Sequence, residues 1–434
     1  MNSQGSRKLY RSIASCIAGN FFALLSAQAT AIMLGLYLSY INNYVHPVSA
    51  VDVGLIGTGY RVAEFIGDPV MGALSDMKGR KPLMFFGPLV SAVVVVVYPA
   101  TASLVAIFAL LAFEGLSAAM RAPATLSFLA DATSTSDRLR GRTMGVHQIT
   151  ILGGMVLGYA VGGLLWDALG INAFRIITLA YLLGAGIILL GIEEQLKPSR
   201  QRIQEVRRYL RITTNPVFIR FLPAWIAMSA VLGAWLSQTV FQLSAQPGQT
   251  DQALVGRFSS VQIGVILAIL AIVFAGGTLA WGLLMDRLSK TTVMLVATLG
   301  AYLYCVALLV MNHSEIGSDV GLTVPAVFTT ILLGAGIFIQ SGFAPAALAY
   351  LADVSEDFAA ERGAIIGVYY VFLSVGQLLG TWFGGVAAQI ANLDGLIFLN
   401  IGLVTVGLVT LLLIRPMRTG HTHGGFHASG HEVR

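Results

Sequence analysis

The sequence predicts an all-α membrane protein of twelve transmembrane helices in two pseudo-symmetric six-helix bundles, and three observations predict it. Of 434 residues, 56% are hydrophobic and only 11% charged, where a soluble domain carries roughly 25% charged residues. Lys and Arg gather at alternate ends of the apolar runs, and sequence motifs repeat between the two halves. Mean hydropathy is +0.78, so a water-soluble enzyme is excluded. Membrane topology accounts for most of the net charge of +5, so lipid is an expected partner and nucleic acid is not.

Runs of about 20 apolar residues cross a bilayer. Such runs fall at 15–43, 51–75, 83–103, 104–130, 142–166, 172–192, 216–244, 257–284, 291–311, 322–350, 362–390 and 394–414. The shallowest break is Thr101-Ala102-Ser103, and an even count of spans depends on it. The first run follows Arg7, Lys8 and Arg11 and passes Ala27-Gln28-Ala29, much as a secretory leader would. It continues to about Tyr40, which favours a span. Cys16 and Cys305 sit singly in apolar segments, which leaves no disulfide framework or CxxC metal site.

Charge placement tests the count independently, because Lys and Arg concentrate in short cytoplasmic loops. With the N-terminus inside, every Lys and Arg except Arg61, Arg121, Arg175 and Arg257 falls on an inside segment. Both termini are therefore expected in the cytoplasm. Compactness and short loops suggest the inner membrane of a bacterium. Residues 1–192 and 216–415 are expected as the two bundles, joined by a cytoplasmic linker at 193–215 that is either a solvated connector or an amphipathic surface helix. Residues 416–434 carry His421, His423, His427 and His431 without ligand spacing, which reads as a disordered His-rich tail and not a metal site.

Internal repetition supports the division. At an offset of 222, Pro123, Asp131, Arg140, Gly141, Gly145, Gly154, Gly158, Gly162 and Gly163 meet identical residues from Pro345 to Gly385. At an offset of 210, Gly72 and Asp76 meet Gly282 and Asp286. Two homologous halves around a central site are the architecture of many alternating-access transporters.

The run GDPVMGALSDMKGRKP, 67–82, resembles the signature loop of the major facilitator superfamily through Gly72, Asp76, Gly79, Arg80 and Lys81. WGLLMDRLSK, 281–290, is a degenerate copy carrying Gly282, Asp286 and Lys290. The resemblance implies a gate at these residues, with Arg80 pairing Asp131 in the outward-facing state; the plainer alternative is charge that only sets topology. In the fifth span Gly145, Gly154, Gly158, Gly162 and Gly163 resemble the glycine motif of the family's drug and metabolite antiporters, with Tyr159 in place of its proline. The same spacing also serves small-xxx-small helix packing. In the second span Arg61, Glu64, Asp68, Pro69 and Gly72 resemble the sugar:cation symporter branch, in which the two acids bind the coupling cation. These resemblances imply a secondary transporter of a small organic solute, with proton-coupled efflux expected first. Cation-coupled symport of a sugar or other polar solute, with sodium or proton, is the alternative. A non-transporting receptor or assembly factor is a third reading, and the family's usual state is a monomer.

Ionisable residues inside a span are costly and mark function by default. Arg61, Glu64 and Asp68 share one face of the second helix, and Glu114 and Arg121 share a face of the fourth. Arg61 and Glu114 lie at one depth, Asp68 and Arg121 at another. Adjacent helices would then pair Arg61 with Glu114 and Arg121 with Asp68, leaving Glu64 as the surplus carboxylate to bind a proton or cation. A fixed salt-bridge network is the structural alternative. His147 is a candidate proton relay or a packing residue.

The second half has no mid-span charge, so its part of the cavity is expected to be aromatic and amide-lined. Trp235, Gln238, Gln242, Gln340, Tyr369, Tyr370 and Gln377 are candidate substrate contacts there, with Asn20, Gln28 and Arg121 from the first half. No nucleophile–base set, HExxH or Walker loop is present, so neither an enzyme, a cofactor nor ATP drive is expected.

Overall fold

The structure is a computed structural model and describes residues 3–134, 136–193, 216–246, 250–285, 287–314, 324–354 and 362–413. Residues 194–215 of the expected linker, the His-rich tail and Asp286 lie outside the described residues, as do the side chains of Tyr369 and Tyr370. The first half comprises α1 (Ser3–Tyr44), α2 (Ala50–Lys78), α3 (Arg80–Val97), α4 (Leu104–Ala132), α5 (Asp137–Leu169) and α6 (Ala173–Gly191). The second comprises α7 (Pro216–Ser244), α8 (Ser260–Leu284), α9 (Lys290–His313), α10 (Val324–Gln340), α11 (Phe343–Val354) and α12 (Arg362–Leu413).

Serine starts many of these helices, because its hydroxyl takes one of the backbone N–H groups that a first turn leaves unpaired. Ser49, Ser103, Ser136, Ser259 and Ser289 cap α2, α4, α5, α8 and α9. At Ser49 and Ser259 the cap is reciprocal, through Asp52 and Gln262. The shallow break at Thr101-Ala102-Ser103 is real: Ser103 caps α4 there after a short 3-10 turn at Tyr98–Ala100. Gly79 (φ 98°) turns the chain from α2 into α3, a conformation that favours glycine.

The expected tenth span is divided at Ser341-Gly342 into α10 and α11, where Gly342 lies so tightly on the Trp281 ring that a Cβ would sit 2.7 Å from it. The eleventh and twelfth spans run together as α12. Ala391 (φ −146°) and Asn392 (φ 48°) are non-helical and split it into two limbs. Nine described stretches are long and apolar enough to cross a membrane, and one of them, Arg138–Gly191, holds both α5 and α6. With α2 and the two limbs of α12, the arrangement is consistent with twelve crossings.

In the first half α2 packs on α4, α1 on α5 and α6, and α3 on α4 and α6. The clustered Lys and Arg at the ends of these helices define a basic face. Its connections are tied there by Lys8 to Glu193 (3.0 Å), Arg11 to the Leu190 carbonyl (3.4 Å) and Lys81 to the Ile192 carbonyl (2.7 Å).

The two halves meet toward the opposite face, where α2 packs on α12 and α5 on α8. Two glycine pairs let the backbones touch: a Cβ on Gly54 would lie 2.9 Å from the Gly385 Cα, and one on Gly163 would lie 3.0 Å from the Gly264 Cα. Gly54 and Gly264 are related by the offset of 210, and Gly163 and Gly385 by that of 222, so the two contacts are pseudo-symmetric copies. Polar ties reinforce them. The Ala50 N–H donates to Gln389 (3.0 Å), Gln238 donates to the Ala50 carbonyl (3.0 Å), and Ser260 donates to Asp167 (3.0 Å). Nearer the basic face, Gly72 on α2 and Gly282 on α8 have no atom of another described element within 4 Å of the Cβ position. An open apolar groove of about 500 Å³ runs there along Pro69, Val70, Ala73, Leu74 and Met77.

Candidate functional site

The site is built on α2 and α4, which adjoin as their charge register suggests. Gly115 lies directly against the Tyr60 backbone, and Gly67 faces Ala119. The pairing expected across this seam does not form. Arg61 bonds Glu64 on its own helix at 2.8 Å and stacks over the Tyr60 ring at 5.1 Å. Glu114 instead turns to the far side of α4 and is buried, accepting hydrogen bonds from Tyr98 and Tyr181, each at 3.1 Å. A matching depth placed Arg61 and Glu114 together, but rotation about α4 separates them.

Arg121 likewise misses Asp68 and donates to Asn20 on α1 at 2.6 Å. Among the described residues Asp68 has no hydrogen bond or ion pair, and it is half-buried. The carboxylate of the site left without a cationic partner is therefore Asp68, whereas the pairing expected from the sequence left Glu64. With Glu114 sequestered, the remaining cluster of Arg61, Glu64, Asp68 and Arg121 is balanced in formal charge, and only its Arg61–Glu64 members are paired to each other. His147 is buried on α5 within electrostatic reach of Arg121, and its Nδ1 has no partner among the described residues.

The proposed lining residues divide. Gln28 is half-buried over Gly158 of α5. Trp235 donates to the Tyr304 hydroxyl at 3.0 Å, which turns it toward α9 of its own half. Gln238 is spent on the Ala50 carbonyl in the contact between halves, so a cavity role is replaced by a closure role. Gln242 and Gln340 are buried, while Gln377 is half-buried beside Gly233. Sequence reasoning missed Ala50, Asp167 and Gln389. Backbone groups leave no residue signature, and Asp167 and Gln389 sit at span ends where polar residues are ordinary.

At the basic face Arg80 bonds Asp131 and the Ser127 carbonyl and lies 3.7 Å from Asp76. Family resemblance ties the Arg80–Asp131 pair to the outward-facing state. Here the pair is present while the halves are joined at the opposite face, so it does not by itself mark that state. Pairing needs only the ends of α3 and α4, which move together within one half.

This fold and these motifs agree with what the chain is similar to. The family model of the Major Facilitator Superfamily matches residues 16–340 and 258–430, and the chain belongs to that family of membrane transporters. It is 24% identical over 359 residues to multidrug resistance protein 1 of Bacillus subtilis, covering 81% of this chain and 84% of that one. It is 27% identical over 260 residues to the class C tetracycline resistance protein of Escherichia coli, covering 58% and 62%. The crystal structure of the nucleoside transporter NupG superposes with a TM-score of 0.74 over 93% of this chain and 99% of that one, at 13% identity, a likeness of fold alone.

Proposed function

We propose that this chain exports a small amphipathic organic solute across the inner membrane of a bacterium by exchange for protons, acting as a monomer with its basic face in the cytoplasm. The observation that carries the reading is Asp68, a carboxylate at membrane depth without a partner, on a helix that also forms the contact between the halves. An unpaired anion in low dielectric is costly, so it takes a proton or a cationic group, and either event changes the charge that α2 presents to α12. The halves are joined at one face, and at the other Gly72 of α2 and Gly282 of α8 meet no atom among the described residues, which supports a state open to the cytoplasm, where an exported solute would load.

Similarity to multidrug and tetracycline resistance proteins supports efflux. Sodium coupling through Glu64 and Asp68 is disfavoured, because a sodium ion needs several oxygen ligands and Glu64 is already held by Arg61. The test is accumulation of a panel of amphipathic dyes in cells that lack their own exporters. Expression of the chain should lower accumulation, an uncoupler should abolish the effect, and Asp68→Asn should match the empty vector. Sodium-dependent uptake of a polar solute would contradict it.

A further inference from the structure

The two contacts that join the halves share one polar bond and differ in another. At each, the first residue of a serine-capped helix bonds the other half: Ala50 of α2 and Ser260 of α8, which the offset of 210 relates. Within its own half the Ser49 side chain takes the Asp52 N–H, and the Ser49 carbonyl takes that of Val53 (3.2 Å). The Ala50 N–H is one of those a helix start leaves open, and Gln389 of α12 supplies its acceptor from across the contact. Asp167 of α5, which the offset of 222 relates to Gln389, accepts from the Ser260 hydroxyl. Gln389 and Asp167 are both exposed, so water replaces either bond when the halves part.

Gln238 of α7 has no polar counterpart. Gly158 meets the Leu25 carbonyl and Gly162 meets Ala29, while their copies Gly380 and Gly384 meet the Ala230 carbonyl and Ala234. An offset of 205 therefore relates α1 to α7, and it places Met33 at the position of Gln238. Both side chains are fully buried. The Gln238 Nε2 donates to the Ala50 carbonyl (3.0 Å), but its Oε1 has no partner among the described residues. Reversing the amide would set oxygen against oxygen, so the carbonyl fixes this placement. The Ala50 carbonyl does not depend on Gln238, because the first turn of α2 already bonds it.

We infer that the two glutamines are opposed positioning residues of the gate at this face: Gln389 holds it closed, and Gln238 biases it to open. A buried acceptor without a partner costs more than a net hydrogen bond returns. Closing the halves strands the Gln238 oxygen, and parting them returns it to water. Gln389 strands nothing, because it is exposed, and its loss leaves the Ala50 N–H unmatched in the closed state. One peptide group thus carries a latch and a counterweight, whereas the sister contact, with Asp167 and Met33, has the latch alone. The inference rests on the alternating-access reading but not on Asp68.

The experiment is double electron–electron resonance on full-length protein lacking its buried cysteines (Cys16→Ala, Cys305→Ala), at constant pH. Labels at Leu169→Cys and Val265→Cys, both exposed, span the α5–α8 contact and touch neither glutamine. Two distances are expected, and the ratio of short to long reads closure. Gln389→Met should lower that ratio about two- to tenfold, the effect of one net hydrogen bond. Gln389→Glu keeps the acceptor and should not lower it. Gln238→Met gives this contact the residue of its copy and should raise the ratio about two- to tenfold; Gln238→Leu should raise it as well. A ratio unmoved by Gln389→Met, or not raised by either Gln238 variant, would overturn the inference alone. One distance in wild type and in every variant would overturn the alternating-access reading with it.

Discussion

Two acids in the first half have opposite environments and should fail differently. Glu114 is enclosed by two tyrosine hydroxyls, a structural arrangement in which each carboxyl oxygen accepts one bond. Glu114→Ala leaves both hydroxyls buried without a partner, a cost of about 1–3 kcal/mol for each. The variant should melt well below wild type, while Glu114→Gln, which keeps an acceptor, should transport. Loss of transport in a stably folded Glu114→Gln would make this acid part of the coupling site. The chemical suspects themselves were readable, because ionisable residues stand out in an apolar run. Their partners were not: depth follows from counting residues, but the rotation that sends Glu114 toward Tyr98 and Tyr181 is set by tertiary packing.

At the level of helices, the glycine pairs make opposing predictions for the two ends of α2. Gly163→Val should hold α5 away from α8, since even a Cβ there collides with the Gly264 backbone. Crosslinking of cysteines across that seam should fall several-fold. Gly72→Ala meets no atom of another element among the described residues and should leave the same crosslink unchanged. Equal effects of both variants would mean that the halves do not part where this geometry has them part. Element boundaries were legible where chemistry marks them, as at Ser49, Ser103 and Gly79. They were obscured in the second half, where the break at Gly342 answers to the distant Trp281 ring and the turn at Asn392 is held by Gln252 and Asn312.

Across the whole molecule, the repeat offsets that divided the sequence also relate Gly54 to Gly264 and Gly163 to Gly385. Symmetry was therefore legible before the contacts it generates, whereas the face at which the halves close was not, because a sequence compatible with two states does not choose between them. Sidedness is testable directly. Asp251→Cys on the outer loop should react with an impermeant maleimide added to intact cells, and Arg287→Cys should react only after lysis, with the buried native cysteines silent. The central claim is that Asp68 is the proton-binding carboxylate, and the most direct test needs no substrate. It is the melting temperature of purified protein across pH and sodium concentration for wild type, Asp68→Asn and Glu64→Gln, since a bound ion stabilises the folded state by RT ln(1 + [L]/Kd). A sodium-independent gain in stability toward lower pH that is lost in Asp68→Asn and retained in Glu64→Gln is the predicted result. An Asp68→Asn curve superimposable on wild type, or a sodium-dependent gain abolished by either variant, would contradict it.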